Sequence, residues 1–177
     1  MDARPTTDVA FTKSVKALQT RAGSRDAYAR LEATGGWQDR VTPKLAEMLA
    51  GLDSFFLATA SAAGRPYVQH RGGPPGFLRV LDARTLAFAD FSGNRQYISA
   101  GNLAENDQAF LFLMDWSARR RIKVWGRARV VDDDPVLLAR LSDPSYDAEP
   151  ERAIVFTIEA WDTNCRQHIP RLVRAAG

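Results

Sequence analysis

A single cysteine, Cys165, excludes an internal disulfide framework. With only His70 and His168 beside it, a Cys-based zinc site is not expected either, because such a site takes about four ligands. No segment approaches the roughly 18 apolar residues of a membrane-spanning helix. The opening stretch, MDARPTTDVAFTKSV, lacks the apolar run of a secretory leader, so a cytoplasmic location is expected. The phosphate-loop, dinucleotide-fold, zincin and serine-elbow motifs are missing, as are internal repeats and low-complexity linkers. What is present is an ordinary globular composition, 45% hydrophobic and 25% charged over 177 residues. Such a chain forms one domain, or one domain with an extension, and buries roughly two thirds of its unfolded surface. The net charge of +3 is compatible with a phosphorylated or polyanionic ligand but does not select one.

The first fifty residues carry helical signals. Val15, Leu18 and Ala22 recur at helical spacing, Ser24 is placed to cap SRDAYARLEA, and Thr42-Pro43 reads as an N-cap and first-turn proline opening a helix that stops at Gly51. This predicts a helical extension over 1–52 and a second unit over 53–177. From Asp53 the pattern shifts to short strands at 54–60, 65–71, 77–81 and 85–91, separated by Gly, Pro and Asp turns. A helix is expected over 94–105, strands over 109–114, 120–131 and 151–161, and a short helix after Asp134-Pro135. About seven closely spaced strands with few helices between them predict a mainly β, α+β fold: an antiparallel barrel, closed or nearly so.

Four segments concentrate polar chemistry. In RRIKVWGRARVV, alternation places Arg121, Lys123, Trp125, Arg127 and Arg129 on one face, where like charges repel unless acidic neighbours, water or an anion oppose them. DFSGNRQY leads from a strand toward a helix; Ser92, Gly93 and Asn94 offer a hydroxyl, close backbone approach and an amide. First-turn N–H groups and Arg95 would hold a phosphate there, although the same residues also suit a plain turn. PYVQHRGGPPGF brings Gln69, His70 and Arg71 to the end of a strand, and WDTNCRQHIPR groups Trp161, Asn164, Cys165, Gln167 and His168. Cys165 and His168 lie three residues apart in an irregular loop, which does not define a nucleophile and its base.

In their order along the chain, these segments resemble the pyridoxamine 5'-phosphate oxidase-like flavin-binding split barrels, over roughly residues 53 to 171. RRIKVWG is similar to that family's R-Q-V-R-I-E-G strand and GNRQ to its S-R-K phosphate segment, while QHRGGP, GNRQY, GNL and NCxQHI resemble a bacterial branch of it. The resemblance implies an antiparallel split β-barrel of the FMN-binding type and a homodimer with FMN at the subunit interface. It implies phosphate and ribityl contacts from Arg71, Ser92, Gly93, Asn94, Arg95 and Gln96, and positions beside the ring for Gln69 and His70. Arg121 stands where the family has a flavin-contacting glutamine and Lys123 where it has an arginine. Trp161 matches a tryptophan that approaches the cofactor from the partner subunit, and Gln167 falls in the C-terminal contact segment. The family's R-L-H-x-R substrate segment is replaced by Arg166, Gln167, His168, Ile169, Pro170 and Arg171, so pyridoxamine phosphate is not implied as the substrate.

The expectation is therefore an FMN-dependent oxidoreductase acting on a small molecule, with the flavin carrying the electrons and no protein base required; His70 or His168 would serve if one is. Two other classes fit parts of the pattern. One is a carrier of flavin or haem on the same barrel, with His70, His168, Cys165 or a methionine as axial ligand. The other is a nucleic-acid platform built on the cationic strand and Trp125, which the near balance of acidic and basic residues disfavours.

Overall fold

The computed structural model describes residues 4–163 and 167–173. Cys165, Asn164 and Arg166 lie outside the described residues. The elements are α1 (Lys13–Arg21), α2 (Arg25–Ala33), α3 (Pro43–Gly51), β1 (Ser54–Ala60), β2 (Pro66–Gly72), β3 (Arg79–Val80), β4 (Thr85–Phe91), α4 (Ile98–Glu105), β5 (Gln108–Asp115), β6 (Arg120–Val131), α5 (Pro135–Leu141) and β7 (Pro150–Thr163). All seven strands pair antiparallel in the order β2-β1-β5-β6-β7-β4-β3. The fold is the expected split barrel with flanking helices.

Alternation decides which side chains fill it. Phe55 and Leu57 of β1, Leu111 and Leu113 of β5, Ile122 and Val124 of β6, Leu86 and Phe88 of β4, and Ile154, Phe156 and Ile158 of β7 form one buried cluster. Each fully buried side chain of this size contributes about 1.5–3 kcal/mol relative to exposure. Phe55 and Phe88 come from strands far apart in the sheet order, yet their rings meet edge-on at 5.1 Å, with Phe77 stacked on Phe55 at 5.3 Å. The sheet therefore curls round its own core. α3 is part of that core: Thr42 Oγ1 accepts from the Leu45 N–H, as its N-cap position predicts, and Leu45, Met48 and Leu49 join the cluster.

The other side of β4 and β7 is covered by α5, where Leu137 and Leu141 meet Ala87, Ala89, Ala153 and Val155. Asp134 caps this helix through the Leu137 N–H. The outer side of β1 and β5 is partly covered: Phe56, Phe110 and Phe112 are half-buried, and Phe110 meets Trp125 edge-on at 5.1 Å. There Phe56 pairs with Phe112 and Ala58 with Phe110 across the ladder, and Val68 on β2 is 59% exposed.

The N-terminal helices depart from the sequence expectation in two details. Ser24 does not cap α2; it sits in helical geometry, and its hydroxyl turns back toward the Gln19 carbonyl at 3.5 Å. On α1 the buried residue is Gln19, while Leu18 faces solvent. A polar network takes the place of an apolar seam, with Glu32 paired to both Lys16 and Arg25.

β6 and β7 shift register between Trp125 and Gly126, and a methyl on Gly126 would sit 2.0 Å from the Thr157 carbonyl oxygen and 2.6 Å from the Phe156 ring. Only glycine fits this crossing without moving backbone. Gly126→Ala is expected to lower stability by about 2–3 kcal/mol through overpacking. Urea unfolding measures it, and an unchanged midpoint would show that the strands separate there at no cost.

Candidate functional site

A cleft of about 60 Å³ opens where β2, β4, the start of β7 and the 92–97 loop meet; Gln69, Arg71, Gly93, Asn94, Arg95 and Gln96 line it together with Asp90, Tyr97, Ser99 and Glu151. Six of the twelve residues singled out in the sequence thus converge from two segments of the chain. Their placement follows from strand parity: Tyr67, Gln69 and Arg71 share one face of β2, and Leu86, Phe88 and Asp90 share the interior face of β4.

The Arg71 guanidinium is ion-paired through Nη1 to the Asp90 carboxylate and lies 5.7 Å from the Phe88 ring centre, while its buried Nε has no partner. The other Asp90 oxygen lies 3.9 Å from Arg152 Nε. Arg152 also meets Glu151 at 3.1 Å and Asp132 at 3.4 Å, and stands 4.9 Å from the Tyr97 ring centre. Burial pulls the Arg152 pKa down, but the Glu151 hydrogen bond and the fields of Asp132 and Asp90 outweigh it and hold the group above its ordinary value. Gln69 Oε1 accepts from the buried Ser99 hydroxyl at 2.7 Å, tying β2 to α4.

The 92–97 loop is not the helix start that the sequence predicted. α4 begins at Ile98, four residues after Asn94, because Arg95 (φ 58°) and Tyr97 (φ 52°) take left-handed conformations. Asn94 Oδ1 accepts from the Gln96 N–H at 3.2 Å and closes the turn. Tyr97 occupies the N-cap position of α4 without a side-chain cap, so the first-turn N–H groups near Ser99 and Ala100 have no intrahelical acceptor at the cleft wall. Arg95 is exposed and has no ion-pair partner among the described residues. A methyl on Gly93 would meet nothing within 4 Å, so the loop does not need glycine there for space.

The remaining candidates lie elsewhere. His70 points to the outer face of β2, with its ring 5.7 Å from Phe56. Ser92 is exposed, its N–H bonded to the Glu149 carbonyl. Gln167 is exposed in a turn. Arg121 and Trp161 line a separate cavity of about 130 Å³ with Lys44, Leu45, Met48, Arg120, Ile122 and Thr163, and Arg121 Nε is buried there without a partner. Arg120 at its rim pairs with Asp115; burial raises the Asp115 pKa, but the Ala118 N–H, Arg120 and Ser117 lower it further, leaving it below its usual value. Glu151 and Trp161 are ten residues apart on β7, roughly 30 Å at about 3.3 Å per residue, so cleft and cavity lie at opposite ends of one strand.

The cationic face of β6 is largely satisfied within the chain. Lys123 pairs with Asp162 at 3.0 Å, and Arg127 with Glu159 at 2.9 Å and Asp107 at 2.6 Å. Trp37, from the N-terminal extension, stacks on Trp125 at 4.8 Å, and the Lys123 ammonium lies 5.4 and 5.2 Å from the two ring centres. The same segment seals Trp161: its indole N–H donates to the Arg40 carbonyl at 2.7 Å, and its backbone pairs with Gln38. Sequence reasoning missed Asp90, Arg152 and Tyr97. The signal for Asp90 was present, since it is an acid on the interior side of TLAFADF, in register with Leu86 and Phe88.

The family described as pyridoxamine 5'-phosphate oxidase matches this chain over residues 41–165. No curated protein matches. Among solved structures, HupZ of Group A Streptococcus superposes with a TM-score of 0.57 at 12% identity, covering 75% of this chain and 99% of its own. An FMN-binding protein from Syntrophomonas wolfei superposes with a TM-score of 0.54 at 14% identity, covering 92% of this chain and 98% of its own. At these identities the likeness is one of fold.

Trp37→Ala removes the stack on Trp125 and one of the two rings beside Lys123, for a loss of about 1–2 kcal/mol. The near-UV signal of the paired indoles should vanish with it. Retention of both stability and that signal would contradict the stacked arrangement.

Proposed function

The chain belongs to the pyridoxamine 5'-phosphate oxidase family, and from that premise we propose that it binds FMN and works as a cytoplasmic oxidoreductase on a small molecule, as a homodimer. The observation that carries this reading is the cleft at the mouth of the barrel. It joins an ion-paired but incompletely bonded Arg71, an exposed Arg95 with no ion-pair partner among the described residues, and the uncapped first turn of α4. This donor set suits the terminal phosphate of a flavin mononucleotide: two guanidiniums supply charge-assisted bonds and the helix start supplies backbone donors.

The cleft of about 60 Å³ accommodates an anionic head group rather than a whole flavin, since sites for whole ligands span roughly 300–1,000 Å³. Trp161, at the far end of β7 from Glu151, and Arg121, which shares its cavity from β6, lie too far from Arg71 and Arg95 to share one flavin with them in the same chain, so in this reading they come from the partner copy. The outer face with half-buried Phe56, Phe110 and Phe112 and exposed Val68 is the surface suited to that copy. FMN, once bound, would supply hydride or electron transfer. The chain's own work is to hold the phosphate with Arg71 and Arg95, to fix β2 against α4 through Gln69 and Ser99, and to present the Arg121 guanidinium beside the apolar wall of Trp161, Met48 and Leu45.

Titration of the apo form with FMN and riboflavin, followed by flavin fluorescence, tests the reading. FMN should bind more tightly, and Arg95→Ala should weaken FMN at least tenfold, the loss of about 1.4 kcal/mol, while riboflavin affinity stays the same. Equal affinity for both flavins in the native protein would contradict the phosphate cleft.

A further inference from the structure

We propose that Asp90, which is not among the residues the family resemblance implies, is the positioning residue of the phosphate cleft. Its carboxylate is the common partner of two arginines that reach it from different strands, Arg71 on β2 and Arg152 on β7. Asp90 is 9% exposed and Arg71 and Arg152 are mostly buried, so this is a low-dielectric cluster rather than a solvated surface pair. The two arms lead to the two walls of the cleft. Arg71 is itself one wall; Arg152 lies against the ring of Tyr97, the left-handed residue that ends the 92–97 loop and starts α4. One carboxylate thus holds the Arg71 guanidinium directly and bears on the loop through Arg152, which Glu151 and Asp132 also hold.

Two effects of Asp90 on a bound phosphate oppose each other. Its negative charge repels the anion, and its position holds the groups that attract it. The repulsion is offset at close range by Arg71, the ion-paired partner of this carboxylate, with Arg152 3.9 Å from its other oxygen. Without its charge, Arg71 would be left as a buried guanidinium with no ion-pair partner among the described residues, and would have to turn away from the cleft wall. Glu151 and Asp132 remain on Arg152 but do not reach Arg71.

This inference rests on the cofactor reading above, and the test separates the two. FMN and riboflavin affinities are measured by fluorescence titration for the native protein, Asp90→Asn and Arg152→Gln. Asp90→Asn should bind FMN at least tenfold more weakly with riboflavin within twofold of native, and Arg152→Gln should show the same selective loss to a smaller degree. Equal loss of both flavins would reduce Asp90 to a structural role, and unchanged or tighter FMN binding would make it a competitor of the phosphate; either overturns the proposal. If Asp90→Asn does not fold, Arg152→Gln decides alone: a loss confined to FMN supports the assignment and any other result overturns it. A native protein that does not prefer FMN to riboflavin fails at the earlier step, before Asp90 is at issue.

Discussion

The split between β2 and β4 is spanned by one buried ion pair, Arg71 with Asp90. An open antiparallel sheet has two edges whose backbone groups find no partners in the ladder, and curling the sheet brings these edges together without pairing them. Here the inner side chains of β1, β4, β5, β6 and β7 drive the curl by burying a single aromatic and aliphatic cluster. The gap left at the mouth is polar because the last interior positions of β2 and β4 carry Arg71 and Asp90 instead of another apolar pair. The cleft, the loop above it and the start of α4 all depend on that substitution of charge for packing.

The same sheet has features that the proposed homodimer would account for. β4 and β7 are covered on their outer side by α5, and β6 by the Trp37 segment, while on the outer side of β1 and β5 Phe56, Phe110 and Phe112 are half-buried, Phe110 against Trp125. The candidate ligand groups are divided in the same way, with a phosphate-sized cleft at one end of β7 and the Arg121–Trp161 cavity at the other. In the homodimer proposed above, a second copy on the outer face of β1 and β5 would cover it and supply the other set of ligand groups.

Much of this was legible from turn residues and alternation. The bounds expected for β1, β4 and β6 agree with the structure, since turn residues flank them and β6 alternates between cationic or aromatic and small or aliphatic side chains. The α3 and α5 caps were equally plain, because Thr42-Pro43 and Asp134-Pro135 combine an acceptor with a preset backbone. The start of α4 was not, because Asn94, a good cap by composition, spends its side chain on Gln96 while Arg95 and Tyr97 adopt conformations that propensity disfavours. The cationic rhythm of β6 was visible, but its neutralising partners Asp107, Glu159 and Asp162 are supplied by chain folding and carry no local mark. Asp90 did stand out as one acid on the interior side of an apolar strand, but its meaning comes only when Arg71 and Arg152 arrive from elsewhere.

The most direct test is sedimentation of the flavin-saturated protein with absorbance read at both the protein and flavin bands. The account predicts a single species of two chains carrying two FMN molecules, the flavin moving with the protein. A species of one chain that retains FMN, or a dimer from which the flavin separates, would contradict a cofactor site built from two copies of this barrel.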